Sequence, residues 1–191
     1  YLVAELLIEL GREEEALGVL EEIKEYDNPL RERKHQLKVD HLYAKTLSAV
    51  GRYEEARDLL TVLIPLMDSL KLAANAAAAV ADLSIIYFAE DNALDAQIQL
   101  NKALIRARAL NDVVFETSIY LSLAVIAYET TDWAKVEEMN SAVLGMPFAE
   151  KQVWFAGAQA DLAVALALQG KFEKVENCLL YTSPSPRDQR G

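Results

Sequence analysis

Small residues recur inside the apolar runs of this chain at Ala4, Ala44, Ser84, Ala124 and Ala163, at spacings of 40, 40, 40 and 39 residues. The same register carries a helix-breaking slot at Gly11, Gly51, Asp91, Thr131 and Gly170. A second small slot follows at Ala16, Ala56, Ala96, Val136 and Val175. No single repeat of such a period can bury its own apolar face, so neighbouring repeats must stack. The apolar residues within each repeat follow helical rather than alternating spacing, which predicts an all-α solenoid of helix pairs without strands. Arrays of that kind are usually binding surfaces, so the expected role is to hold another protein.

The clearest copy reads HLYAKTLSAVGRYEEARDLLTVLI, with Tyr43, Ala44, Leu47, Gly51, Tyr53, Ala56, Leu60 and Leu63 in its signature slots. Ala44 and Ala56 are small enough for two antiparallel helices to approach closely. Gly51 can supply a left-handed turn between them, and Tyr53 can wedge beside that turn. The aromatic slot reads Glu13, Tyr53, Ala93, Trp133 and Phe172 across the copies. This pattern closely resembles the tetratricopeptide repeat. The common form of that repeat has a period of about 34 residues, so the extra length must lie in the helices or in their connections. The longer period is similar to the variant of kinesin light chains, spindle-orientation scaffolds and bacterial maltose-regulator-type transcription factors. HEAT repeats have a similar period but fit these slots less well. The resemblance implies a right-handed superhelix of about five antiparallel helix pairs, truncated at both ends.

The spacing predicts helices over 1–10 and 13–26, 30–50 and 53–70, 72–89 and 92–110, 113–129 and 133–144, and 149–169 with a last helix from Phe172. The repeats then run over 1–28, 29–70, 71–110, 111–147 and 148–177. Asp27-Asn28-Pro29 is a restart signal, and Pro147 after Gly145 marks the break before the fifth repeat. Pro65 lies inside an apolar run and predicts a kink. Residues 178–188, CLLYTSPSPRD, resemble the in-frame translation of a transposon-based sequencing adapter. On that reading 178–191 is a non-native tail, with 182–191 disordered or extended without packing and with the preceding helix drawn accidentally to about Tyr181. Tyr1 already sits mid-helix, so the chain reads as a fragment of a longer array.

Thirty acidic against nineteen basic residues give a formal net charge of −11, and setting the tail aside makes the balance more acidic still. Nucleic-acid grooves need clustered Lys and Arg, so direct nucleic-acid binding is disfavoured and a basic partner is favoured. The single cysteine, Cys178, falls in the tail, which excludes a disulfide framework and fits a reducing, cytoplasmic compartment. No apolar run approaches the roughly 20 residues of a membrane span. Catalysis has no support, since neither GxxxxGK nor GxGxxG occurs. His35 and His41 lie six apart on opposed faces of one helix and read as solvated rather than as metal ligands. The carboxylates at Glu13, Glu14, Glu15, Glu21 and Glu22 read as a solvated face. No cofactor is expected.

The resemblance also locates a binding surface, because the first helix of each tetratricopeptide pair lines a concave groove. Carried across, its ligand-facing slots fall on His41, Lys45 and Ser48, then on Ala81, Ile85 and Phe88. The later repeats supply Leu121, Val125 and Tyr128, then Ala160, Val164 and Ala167. Apart from Lys38 and Lys45 this lining lacks the Lys, Asn and Arg of a carboxylate clamp, so an amphipathic helix or apolar extended segment suits it better. The alternative is that these residues pack only against neighbouring helices. Arg31, Arg33, Lys34, Lys38 and Lys45 cluster on one helix, where they would either salt-bridge to the acidic stretch 13–25 or meet an acidic partner. Two classes of function stay open: a scaffold that binds a peptide or helix, and the sensory arm of a larger signalling protein such as a maltose-regulator-like transcription factor.

Overall fold

The computed structural model describes residues 2–25, 32–147 and 149–180. Its elements are α1 (Leu2–Glu9), α2 (Glu13–Glu25), α3 (Arg33–Ala49), α4 (Tyr53–Ser69), α5 (Ala73–Ala89), α6 (Ala93–Leu110), α7 (Val113–Glu129), α8 (Trp133–Leu144), α9 (Phe155–Leu168) and α10 (Phe172–Leu180). A short 3-10 turn, Ala149–Lys151, precedes α9. No strand occurs among the described residues. The chain forms two compact units, Tyr1–Asn111 with α1 to α6 and Asp112–Gly191 with α7 to α10. The restart signal at Asp27-Asn28-Pro29, the cation Arg31 and the expected extended tail 182–191 lie outside the described residues. Cys178 belongs to α10; its half-buried thiol faces the Gln159 carbonyl oxygen at 3.9 Å, and burial pushes its pKa up.

Each first helix turns back into its partner through one left-handed residue. Gly11, Gly51 and Gly170 have φ of 68, 81 and 73°, while Asp91 and Thr131 adopt 58 and 57° at the same slot without being glycine. The geometry repeats: the Gly51 amide donates to the Ser48 carbonyl at 3.1 Å and the Arg52 amide to the Leu47 carbonyl at 2.8 Å. These two bonds satisfy carbonyls that a helix end leaves open. The same pair of bonds recurs at Thr131 and Asp132, which donate to Tyr128 and Ala127. Where a second helix starts, Asn92 and Asp132 accept from the amides of Asp95 and Lys135, as N-caps do. A β-branched residue at positive φ is strained. Thr131→Gly is therefore expected to stabilise by about 0.5–1 kcal/mol, the relief being partly offset by the entropy of an unfolded glycine. A urea midpoint that fails to rise would contradict it.

The small slots are where the helices meet. Ala4, Ala44, Ser84 and Ala124 are buried, as are Ala16, Ala56, Ala96 and Val136 in the second helices, whereas Ala163 and Val175 are half-buried. One core cluster joins Ala44 and Leu47 of α3, Leu60, Leu63 and Met67 of α4, and Leu83 and Ile86 of α5. A second joins Ala4, Ala16, Leu20 and Val39. In the other unit Ala127, Val136 and Ala165 cluster with Trp133 against them. Ion pairs tie elements together from outside: Arg106 of α6 grips Asp68 of α4 at 2.7 and 2.9 Å, and Arg57 of α4 reaches Glu90 at the end of α5 at 2.6 Å.

Two expectations are corrected. Residues 149–169 do not form one helix, because α9 begins only at Phe155. Pro147 disfavours helix at the residue before it, and the chain proceeds by 3-10-type bonds from Ala149 to Met146 and from Gln152 to Ala149. Nor does the basic cluster of α3 bridge to α2. Arg33, Lys34, Lys38 and Lys45 are exposed and make no ion pair among the described residues. The α2–α3 pair runs the other way, with Lys24 of α2 3.5 Å from Asp40 and 4.0 Å from the centre of the Tyr43 ring. At Pro65, α4 continues from Tyr53 to Ser69 although the proline withholds one backbone donor.

Candidate protein-interaction surface

The first helices expose part of what their cores do not use. On α5, Ile85 is exposed while its flanks Ser84 and Ile86 are buried, so the helical period alone turns it outward. Phe88 and Ala81 of α5 and Ser48 of α3 are half-buried, and Lys45 is exposed. His41 is not a solvated histidine, which corrects the sequence reading. Its Nε2 lies 2.7 Å from Asp82 Oδ2, with both side chains largely shielded, and this bond ties α3 to α5. Between α4, α5 and α6 opens a cavity of about 560 Å³, walled by Ile64, Val80, Leu83 and Tyr87 and rimmed by Lys102 and Arg106.

In the second unit Val125, Tyr128, Ala160 and Val164 are exposed, and Leu121 and Ala167 are half-buried. Tyr128 is oriented by Trp133, whose ring meets it edge-on at 5.4 Å and 89°. A smaller cavity of about 200 Å³ lies beside Leu121, between the start of α7 and the α8–α9 connection, with Val114, Met146 and Trp154 in its wall. The end of α9 is fixed by a polar knot on α8. Glu137 accepts from Lys171 at 2.5 Å, from Lys174 at 3.1 Å and from Gln169 at 3.1 Å. These bonds, that from Lys171 foremost, hold its carboxyl down at about 2. Gln169 also donates to the Trp133 carbonyl at 3.0 Å, so one residue joins α9 to the start of α8.

Sequence reasoning missed Asp82, one residue after Ala81, and Leu168, an exposed leucine one residue after Ala167. Only a contact between repeats reveals the first; the helical spacing from Val164 to Leu168 could have found the second. Among the described residues no three His, Cys, Asp or Glu side chains group to hold a metal, and no helix is long and apolar enough to cross a membrane.

No protein-family model matches the chain, and no curated protein does. Solved structures do. A kinesin light chain-like protein of nearly identical TPR-like repeats from Podosopora anserina, as a single-substitution variant, superposes with a TM-score of 0.73 at 18% identity, over 94% of this chain and 89% of that one. The same protein without the substitution gives 0.71 at 17% identity, over 93% and 88%. BtubC (BKLC) from P. vanneervenii gives 0.72 at 17% identity, over 92% of this chain and 73% of that one. The fold is of the tetratricopeptide type. The length that separates this TPR-type repeat from the common form resides in its helices. Both α3 and α4 have 17 residues, and with the short connections at 50–52 and 70–72 they fill the whole 40-residue period.

Proposed function

We propose that the chain is a non-catalytic protein-interaction module that binds a peptide or helix of a partner protein through its first helices, in a cytoplasmic setting. The observation that carries the reading is the set of exposed apolar side chains Ile85, Val125, Tyr128 and Val164, each standing at a ligand-facing slot of the TPR-type register. Buried neighbours on the same helices already complete the core, so these four are free to meet a partner. The partner in this reading is an amphipathic helix or an apolar extended segment, with basic residues favoured by the acidity of the chain.

The test is a panel of amphipathic and extended peptides titrated onto the intact chain and onto Ile85→Asp and Val125→Asp. Both positions are exposed, so the melts should shift by no more than about 0.5 kcal/mol. Binding of a peptide selected on the surface of either unit should weaken about tenfold or more in the variant of that unit, because a carboxylate would have to be desolvated at the contact. Unchanged affinity in both variants would refute the assignment.

A further inference from the structure

The side of α6 that faces α4 departs from the repeat. One period earlier the same side of the second helix is apolar: Leu59 and Leu66 of α4 pack against the core around Leu47 and Leu60. At their slots α6 carries Gln99 and Arg106, and Lys102 stands where α4 has Val62. The three share one stripe of α6, since steps of three and four residues return to the same helix face. Long polar side chains do not fill the space that leucines would close, and the opening of about 560 Å³ between α4, α5 and α6 lies along this stripe. Its floor is apolar, with Val80 and Leu83 of α5 buried and Ile64 of α4 and Tyr87 of α5 half-buried. The volume is that of a small-molecule site, for which about 300–1,000 Å³ is usual.

Existing bonds sort the polar groups at the rim. Arg106 is committed to Asp68 at 2.7 and 2.9 Å, and the Thr61 hydroxyl donates to the Arg57 carbonyl at 2.8 Å. Lys102 Nζ donates to Gln99 Oε1 at 3.3 Å and has no carboxylate within ion-pair distance among the described residues. With its oxygen turned to Lys102, Gln99 has its NH2 group to offer, and the ammonium has further N–H groups beyond the one that Gln99 accepts. The rim therefore presents donors, one of them cationic, above an apolar floor. A cationic ligand would be repelled there and a neutral one would leave the ammonium unmatched, whereas an anionic head answers both donors. Lys102 is exposed, so the charge it matches sits at the mouth while the apolar body lies below.

We propose that the opening between α4, α5 and α6 binds a small carboxylic acid with a branched aliphatic or aromatic body. The body rests on Val80, Leu83 and Tyr87, and the carboxylate meets Lys102 and Gln99. All of these residues belong to the α1–α6 unit, and the site does not depend on the peptide-binding surface of the proposed function.

The probes are isocaproate and phenylbutyrate, with their primary amides as neutral controls, titrated onto the intact chain and followed by backbone amide shifts in NMR. The expected result is saturable shifts around residues 80–87 and 99–106, with each amide bound about fivefold or more weakly than its acid. Lys102→Gln, at an exposed position, should remove that preference for the acid. Gln99→Leu, which restores the leucine that α4 carries at this slot, should close the opening and abolish binding of both acids without lowering the urea midpoint. If Gln99→Leu folds poorly, the parent chain and Lys102→Gln still decide. No saturable shift at these residues with either acid, or shifts confined to other helices, would overturn the site. Acid and amide bound equally by the parent chain, or a preference that survives Lys102→Gln, would overturn the anionic ligand.

Discussion

Leu60→Ala is expected to lower the stability of the α1–α6 unit by about 2–5 kcal/mol. Leu60 is fully buried at the point where three successive helices meet, among Leu47 of α3, Leu63 and Met67 of α4, and Leu83 and Ile86 of α5. Truncation removes the transfer free energy of the lost atoms and leaves a void. The walls of that void cannot close easily, because Ala44, Ala56, Ala76 and Ala79 already hold the backbones close together. The loss should therefore lie toward the upper part of the range. Val62→Ala, at an exposed position two residues away, should change stability by no more than about 0.5 kcal/mol. Urea unfolding followed by circular dichroism separates the two; equal effects would mean that α4 does not face its neighbours as described.

The repeat register made most of the architecture legible. It placed left-handed turns at Asp91 and Thr131, where neither residue type by itself asks for positive φ. It did not place those at Lys71 and Asn111, which follow second helices one period apart and offer no glycine to mark the turn. The start of α9 was illegible for a related reason. α8 stops after 12 residues where α4 and α6 have 17 and 18, so the following connection has no counterpart in those after α4 and α6 from which to read it. Of the surface, the positions Ile85, Val125, Tyr128 and Val164, which are exposed, were named by the slots that the tetratricopeptide resemblance carries across. The His41–Asp82 bond did not, because it joins residues 41 apart and depends on how two helices stack. The same holds for the cations of α3, whose missing partners become visible only once Lys24 is seen to occupy Asp40.

Ala44→Leu tests the register at its origin. Ala44 is fully buried in the cluster that also holds Leu47, Ala56 and Leu60, so the added side-chain atoms have no space to enter. Either α3 and α4 move apart, which opens their shared contacts, or the new side chain takes a strained rotamer. Both routes lead to an expected destabilisation of about 1–3 kcal/mol. Ala124→Leu, at the corresponding buried slot of α7, should fall in the same range, whereas Ala49→Leu, at an exposed position on the helix of Ala44, should be nearly neutral. Chemical denaturation of the three variants decides the matter. If Ala44→Leu and Ala124→Leu both unfold with the parent chain, the recurring small residues are not where the helices meet, and the repeat alignment would have to be redrawn.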